Sequence, residues 1–161
     1  MFNRFVKEAR EIAARAPTVA RGLGSPTVEA EHLLLALTEA PDTGTKEALA
    51  DAGLNWQVVR EALDQENERS LAAVGISPAA FDLPAVADAA TRPEWATSAK
   101  LALERSLKVA AARRDSRIEP THILLGVLRA PVGTVPRALE VAGIDRLAVA
   151  RRVEKGMDCA R

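Results

Sequence analysis

The chain has 161 residues, 48% hydrophobic and 27% charged, with 22 basic and 22 acidic side chains and a formal net charge of zero. That size suits one compact domain or two very small ones with a real core, and the balanced charge argues against bulk nucleic-acid binding, which normally leaves a basic excess. The single cysteine, Cys159, excludes an internal disulfide or a Cys-rich metal site, and no apolar run approaches the roughly 18 residues that span a bilayer.

The N-terminus shows no signal-peptide hydrophobic region, so the expected compartment is the cytoplasm. Nearly every segment reads as α-helix, and no period-2 run of β-branched residues predicts a strand. Phe5, Ala9, Ile12, Ala13 and Ala16 draw an apolar helical stripe. Pro17 is expected to kink or end that helix, with Val19, Ala20 and Leu23 continuing the stripe and Gly22 and Gly24 closing it. After the turn Ser25-Pro26-Thr27, a helix is expected over about 29–39, and its Leu33, Leu34, Leu35 and Leu37 imply burial on most sides. A short third helix over 46–52 stops at Gly53, a left-handed cap position. Asn55 reads as the N-cap of a fourth helix with Trp56, Val59 and Leu63 inward.

Residues 67–93 read as a linker with short helical pieces. Positions 70–75 allow one more helical turn, Pro78, Pro84 and Pro93 punctuate the rest, and Phe81 and Leu83 are apolar enough to pack back onto the body. The plan then repeats. A long helix is expected over 95–113, and Pro120 opens a buried helix bearing Ile123, Leu124, Leu125, Val127 and Leu128. A short helix over 136–142 stops at Gly143, and Asp145 caps a last helix carrying Leu147, Val149 and Val153.

The repetition has a fixed offset of 90 residues. It pairs His32 with His122, Arg15 with Arg105, Leu34-Leu35 with Leu124-Leu125, Ala40-Pro41 with Ala130-Pro131, Ala52-Gly53 with Ala142-Gly143, and Phe5 with Trp95. One register held over so many positions marks a duplicated unit. The expected fold is all-α: a tandem, pseudo-twofold repeat of two four-helix units, 1–66 and 94–161, packed as one domain.

Chemistry-bearing patterns are few. There is no phosphate-cradling G-x-x-x-x-G-K-[ST], no H-E-x-x-H, no G-x-S-x-G and no ligand-spaced Cys/His cluster, so no catalytic centre, cofactor or metal is expected. Each histidine begins a buried helix, where its ring nitrogens are expected to fix the preceding turn; a metal shared between the two is the alternative. Glu29 and Glu31 open the first buried helix, where a carboxylate complements the helix dipole or receives a basic side chain from a partner. Glu119 and Thr121 hold the equivalent places. Trp56 and Trp95 read as core rather than exposed stacking platforms, with Trp95 also a candidate partner-binding residue beside Phe5, Val6, Glu29, Glu31, Glu119 and Thr121, and the basic clusters at Arg113-Arg114-Arg117 and Arg151-Arg152-Lys155 read as solvated helix faces.

Three segments carry a resemblance: an aromatic-x-x-x-Ala start (5–9 and 95–99), the helix Glu31-His32-Leu33-Leu34-Leu35-Ala36-Leu37 with its counterpart over 119–126, and an Ala-Leu helix ending in glycine (48–53 and 138–143). The chain resembles the Clp amino-terminal repeat of Hsp100/Clp ATPase chaperones over 2–66 and 94–156. The resemblance implies two four-helix repeats and a non-catalytic docking module for Clp ATPase or protease components, adaptors and substrate proteins. With no ATPase module in the sequence, it also implies a free-standing relative, with neither nucleic acid nor membrane as partner. A decoy that sequesters peptide-like small molecules through Phe2, Phe5, Val6 and Leu83 is the alternative. ClpC-like phosphoarginine sites carry Thr after the aromatic residue and Glu before the histidine; here Glu31 keeps the carboxylate, while Val6, Ala96 and Thr121 stand at the other positions.

Overall fold

The computed structural model describes residues 2–77 and 92–159. A 3-10 turn, Phe2–Arg4, leads into α1 (Lys7–Gly22), followed by β1 (Thr27–Val28), α2 (Ala30–Thr38), α3 (Thr43–Asp51) and α4 (Trp56–Ala73). The second unit runs β2 (Glu94–Trp95), α5 (Thr97–Ala112), α6 (Pro120–Leu128), α7 (Thr134–Val141) and α8 (Arg146–Cys159). The all-α duplicated architecture is therefore as the sequence predicts. The Phe2 side chain, Phe81, Leu83 and most of the expected linker lie outside the described residues.

The central helices α2 and α6 are apolar nearly all round, and their Leu33, Leu34, Leu35, Leu37, Ile123, Leu124, Leu125 and Leu128 are fully buried. They pack on each other, α1 covers α2, and α5 covers α6. The remaining helices cross between units: α4 packs on α7 and α3 on α8. The core is thus shared, and each half buries apolar surface that it cannot bury alone.

Two short parallel pairings join the units, which corrects the expectation of no strands. Thr27 and Val28 pair with Glu94 and Trp95, and the Ala96 N–H donates to the Val28 carbonyl at 3.0 Å. Phe5 pairs with Ile118, and the Val6 N–H donates to the Ile118 carbonyl at 3.0 Å. The offset of 90 carries Phe5 to Trp95 and Val28 to Ile118, so the second pairing is the first with the units exchanged. A two-residue strand is too short to leave a period-2 pattern.

Other differences have similar causes. Pro17 does not end α1, which runs through it. A proline in a helix interior costs about 3 kcal/mol, and burial of Ala13, Ala16, Val19 and Ala20 on either side holds the helix together. The helical turn expected over 70–75 is the end of α4 itself, which closes at Gly75 with a positive φ of 78°. Leu147 faces outward, at 47% exposure, while Val149 and Val153 of the same helix are buried. The α5 terminus places Arg114 in the left-handed region, φ 60°, where the first unit has Gly24 at φ 70°.

Candidate functional site

Both buried helices start with the same device. Glu29 is the N-cap of α2, and its N–H donates to Nδ1 of His32 at 2.8 Å. The Glu29 carboxylate accepts the His32 backbone N–H in return, a capping box with histidine at the position usually held by Glu or Gln. Glu119 and His122 repeat it at α6, with an N–H to Nδ1 distance of 3.0 Å. A backbone N–H can only donate, so Nδ1 accepts and the neutral ring carries its proton on Nε2. His122 uses that proton toward Asp115, 3.0 Å away. The rings therefore fix the preceding turns, as their repeated position predicts. Among the described residues no group of three or more His, Cys, Asp or Glu is arranged to hold a metal ion.

On the α2 side the surroundings are acidic and self-satisfied. The Glu29 carboxylate accepts the Thr27 hydroxyl at 3.1 Å and a short bond from Ser98 of α5. Glu31 is half-buried, and desolvation pushes its carboxyl above the usual range, with Glu29 and Glu66 adding to the rise. Glu66 of α4 is buried; its Oε1 accepts the Ser70 hydroxyl at 2.6 Å and Nε of Arg137, from α7, at 2.7 Å. Burial alone would raise the Glu66 carboxyl, but the bonds from Ser70 and Arg137 hold it below the usual range.

The α6 side is a cleft of about 730 Å³ walled by α3, the α5–α6 turn and α8. The start of α3 lies against the start of α6: a Cβ on Gly44 would stand 3.8 Å from Thr121 Cγ2 and 3.9 Å from Asp42 Oδ2. Asp42 caps α3 by accepting the Thr45 N–H at 2.8 Å. Glu47, Asp51 and the exposed Glu119 add carboxylates to the walls, and Arg117 and Arg152 add guanidinium groups. Arg113, expected on a solvated face, is instead largely covered and pairs with Asp115 at 3.2 Å and Asp158 at 2.8 Å. It ties the end of α8 to the turn that His122 holds.

Of the side chains singled out from sequence, Glu29 and Glu31 meet at the α2 start, and Glu119 and Thr121 meet in the α6 cleft. Phe5 is a correction: at 3% exposure it is core, because its pairing with Ile118 draws it between the units. Val6 and Trp95 are half-buried and packed on the core, and Trp56 likewise. Sequence reasoning did not find Asp42, Glu47, Asp51 or Met157, which join the cleft only because α3 of one unit packs on α8 of the other. Nothing in the linear pattern of either helix signals that crossing.

A duplicated helical bundle with equivalent capped helix starts in its two units defines the class as a tandem all-α repeat domain. The chain belongs to the Clp repeat (R) N-terminal domain family, whose model matches residues 4–89 and 95–159. It is 30% identical over 145 residues to the chloroplastic chaperone protein ClpC1 of Oryza sativa, covering 90% of this chain and 14% of that protein. Chaperone protein ClpB of Oceanobacillus iheyensis is 27% identical over 145 residues, covering 90% of this chain and 16% of that protein. Thus the chain spans about a seventh of the length of the curated relatives it matches. The N-terminal domain of the chaperone ClpD from Arabidopsis thaliana superimposes with a TM-score of 0.70 at 21% identity, over 98% of this chain and 99% of that one. The Hsp104 N-terminal domain from Candida albicans gives 0.66 at 18% identity, over 94% and 89%. At those identities the structures establish the shared fold. No helix among the described residues is long and apolar enough to cross a membrane.

Proposed function

We propose that the chain is a non-catalytic docking module of the Clp chaperone–protease system that takes adaptor or substrate proteins at its helix-start surfaces. It works in the cytoplasm and needs no cofactor. Membership of the family over both repeats supports the class. The observation that carries the site is the open cleft at the α6 start, where Glu119, Thr121, α3 and α8 converge. The two repeats act as one domain, because the cleft has walls from both.

Phosphoarginine recognition has one feature in its favour, the retained Glu31 beside a carboxyl-rich helix start. Against it, Val6 and Ala96 offer no hydroxyl where the resemblance calls for one, and Arg137 already engages the neighbouring Glu66. Sequestration of small molecules loses Phe5, which is in the core. The test is a titration of the isotopically labelled chain with unfolded casein and, separately, with phosphoarginine, followed by amide chemical shifts. Saturable casein shifts clustered over residues 42–51, 115–122 and 152–157 support the reading. Absence of any saturable shift with casein refutes it, and saturable phosphoarginine shifts around Glu31 restore the alternative.

A further inference from the structure

The turn between α5 and α6 departs from its twin at every position from 113 to 117. With the offset of 90, Arg113, Arg114, Ser116 and Arg117 stand where the first unit has Leu23, Gly24, Pro26 and Thr27. Arg4, which reaches this turn from the N-terminus, stands where β2 has Glu94. Both turns nonetheless run into the same parallel pairing between units, so the arginines are not what builds the turn. Arg114 works against it. At φ 60° it holds a left-handed conformation that its twin gives to Gly24 at φ 70°, and a side chain there carries backbone strain. Strain kept at an exposed position marks a use for the side chain beyond folding.

These residues frame one hydroxyl. Ser116 is exposed, and residues 115–117 lie outside any helix. Its backbone carbonyl accepts Nε of Arg4 at 3.3 Å, while its hydroxyl bonds to nothing among the described residues. Arginines precede it by two and by three residues, and no other serine or threonine of the chain has arginine at both places. Protein kinases with acidic substrate grooves select their serine by that kind of charge pattern. Arg114 is exposed. Arg113 is held by Asp115 at 3.2 Å and Asp158 at 2.8 Å, but the Asp158 side chain is 65% exposed, and an ion pair so open to water yields readily to a competing carboxylate.

We infer that Ser116 is a phosphorylation site for a basophilic serine/threonine protein kinase, with ATP as the phosphoryl donor. The Ser116 hydroxyl oxygen bonds to the γ-phosphorus, the bond from that phosphorus to the ADP oxygen breaks, and the hydroxyl proton passes to a carboxylate of the kinase. The product is a dianion set among guanidinium groups. Arg4 already lies on the Ser116 and Asp115 carbonyls, at 3.3 and 2.9 Å, and Arg114 and Arg117 stand on either side of the serine in the chain. Charge-assisted bonds from them tie the N-terminal turn and the α5–α6 turn to one phosphate. The acids nearby are engaged elsewhere: Asp115 and Asp158 with Arg113, and Glu119 with the His122 backbone N–H. This inference does not rest on the docking function proposed above.

The folded chain and a synthetic peptide of residues 110–119 are each incubated with ATP and the catalytic subunit of cyclic-AMP-dependent protein kinase, and the phosphate is located by mass spectrometry. One phosphate at Ser116 is expected in the folded chain, at a kcat/KM within about tenfold of the peptide's, because the turn opens locally without global unfolding. Ser116→Ala removes it. Arg114→Gly is expected to lower kcat/KM about tenfold or more, and to the same degree in the peptide, which has no fold to disturb. The phosphorylated chain is expected to melt about 3 °C higher than the parent, a gain that Arg4→Ala abolishes. Phosphate on no residue, phosphate on another residue, or phosphate at Ser116 only after unfolding overturns the inference. So does an Arg114→Gly chain modified as fast as the parent. A phosphorylated chain that melts no higher overturns the guanidinium seat for the phosphate.

Discussion

Gly126 is where the packing leaves least room. It lies in α6 against α5, and a Cβ there would meet the Ala102 carbonyl oxygen at 2.2 Å and the Ser106 backbone nitrogen at 2.9 Å. Both obstacles are helix backbone and neither swings aside. Restoring a normal contact requires α5 and α6 to part by about 1 Å, which opens the shared core. Overpacking of this kind costs roughly 3 kcal/mol or more against backbone, offset by about 1 kcal/mol from the better helix propensity of alanine. Gly126→Ala is therefore expected to lose about 2 kcal/mol or more, a fall in melting temperature of roughly 4–8 °C for a domain of this size. The twin position supplies the control. Ala36 is fully buried in α2, and Ala36→Gly is expected to cost about 1 kcal/mol of propensity plus the loss of a buried methyl. Thermal unfolding by circular dichroism, confirmed by urea titration, measures both. A Gly126→Ala melt within about 1 °C of the parent would refute the α5–α6 spacing and the packing argument built on it.

Further outcomes follow from the same structure. Arg137→Met leaves Glu66 buried without its cation; because the Arg137 side chain is 54% exposed, the cost is expected to be about 1–2 kcal/mol rather than the full penalty for a buried pair. A double-mutant cycle with Glu66→Gln checks this, and a coupling near zero contradicts it. Arg114→Gly relieves a left-handed residue where the first unit already has glycine and is expected to gain about 0.5–1 kcal/mol by urea unfolding; a loss of stability counts against it. The pH profile has a defined sign. Desolvation holds the His32 ring below its ordinary 6.5, so its contribution is complete above that value and drains as the pH falls toward the folded-state value. Glu31, raised from 4.5, has the opposite sign and loses stability as the pH rises through its window, while Glu66 is lowered and gives up its contribution only below 4.5. His32→Gln should therefore flatten the acid limb just below pH 6.5, and an unchanged limb in a urea-midpoint series refutes the assignment.

The fold was legible because duplication leaves many residues in one register, and the buried helices announce themselves by apolar density at Leu33–Leu37 and Ile123–Leu128. The histidine caps were legible for a related reason, since a residue that both units need for folding recurs in both. What stayed hidden depends on contacts between the units. The β1–β2 pairing and its Phe5–Ile118 twin are two residues and one residue long, and no periodicity can reveal them. Of the two outcomes expected at Pro17, termination does not occur, because local propensity yields to burial of the helix face around it. The cleft was half legible: Glu119 and Thr121 could be found by repeat equivalence with Glu29 and Glu31. Asp42, Glu47 and Asp51 could not, because their helix crosses to α8 of the other unit.

If partners dock in the α6-side cleft, filling that cleft must weaken their binding. Gly156 offers a direct way to close it. It lines the cleft from α8, and a Cβ there meets nothing within 4 Å, so Gly156→Trp projects bulk into the cleft without a backbone clash and adds helix propensity. Fluorescence anisotropy of labelled, unfolded casein titrated with parent and Gly156→Trp chains measures the consequence. Affinity is expected to fall at least about tenfold, a change of roughly 1.4 kcal/mol, with an unchanged melting temperature. Equal affinity in a folded Gly156→Trp chain would contradict it.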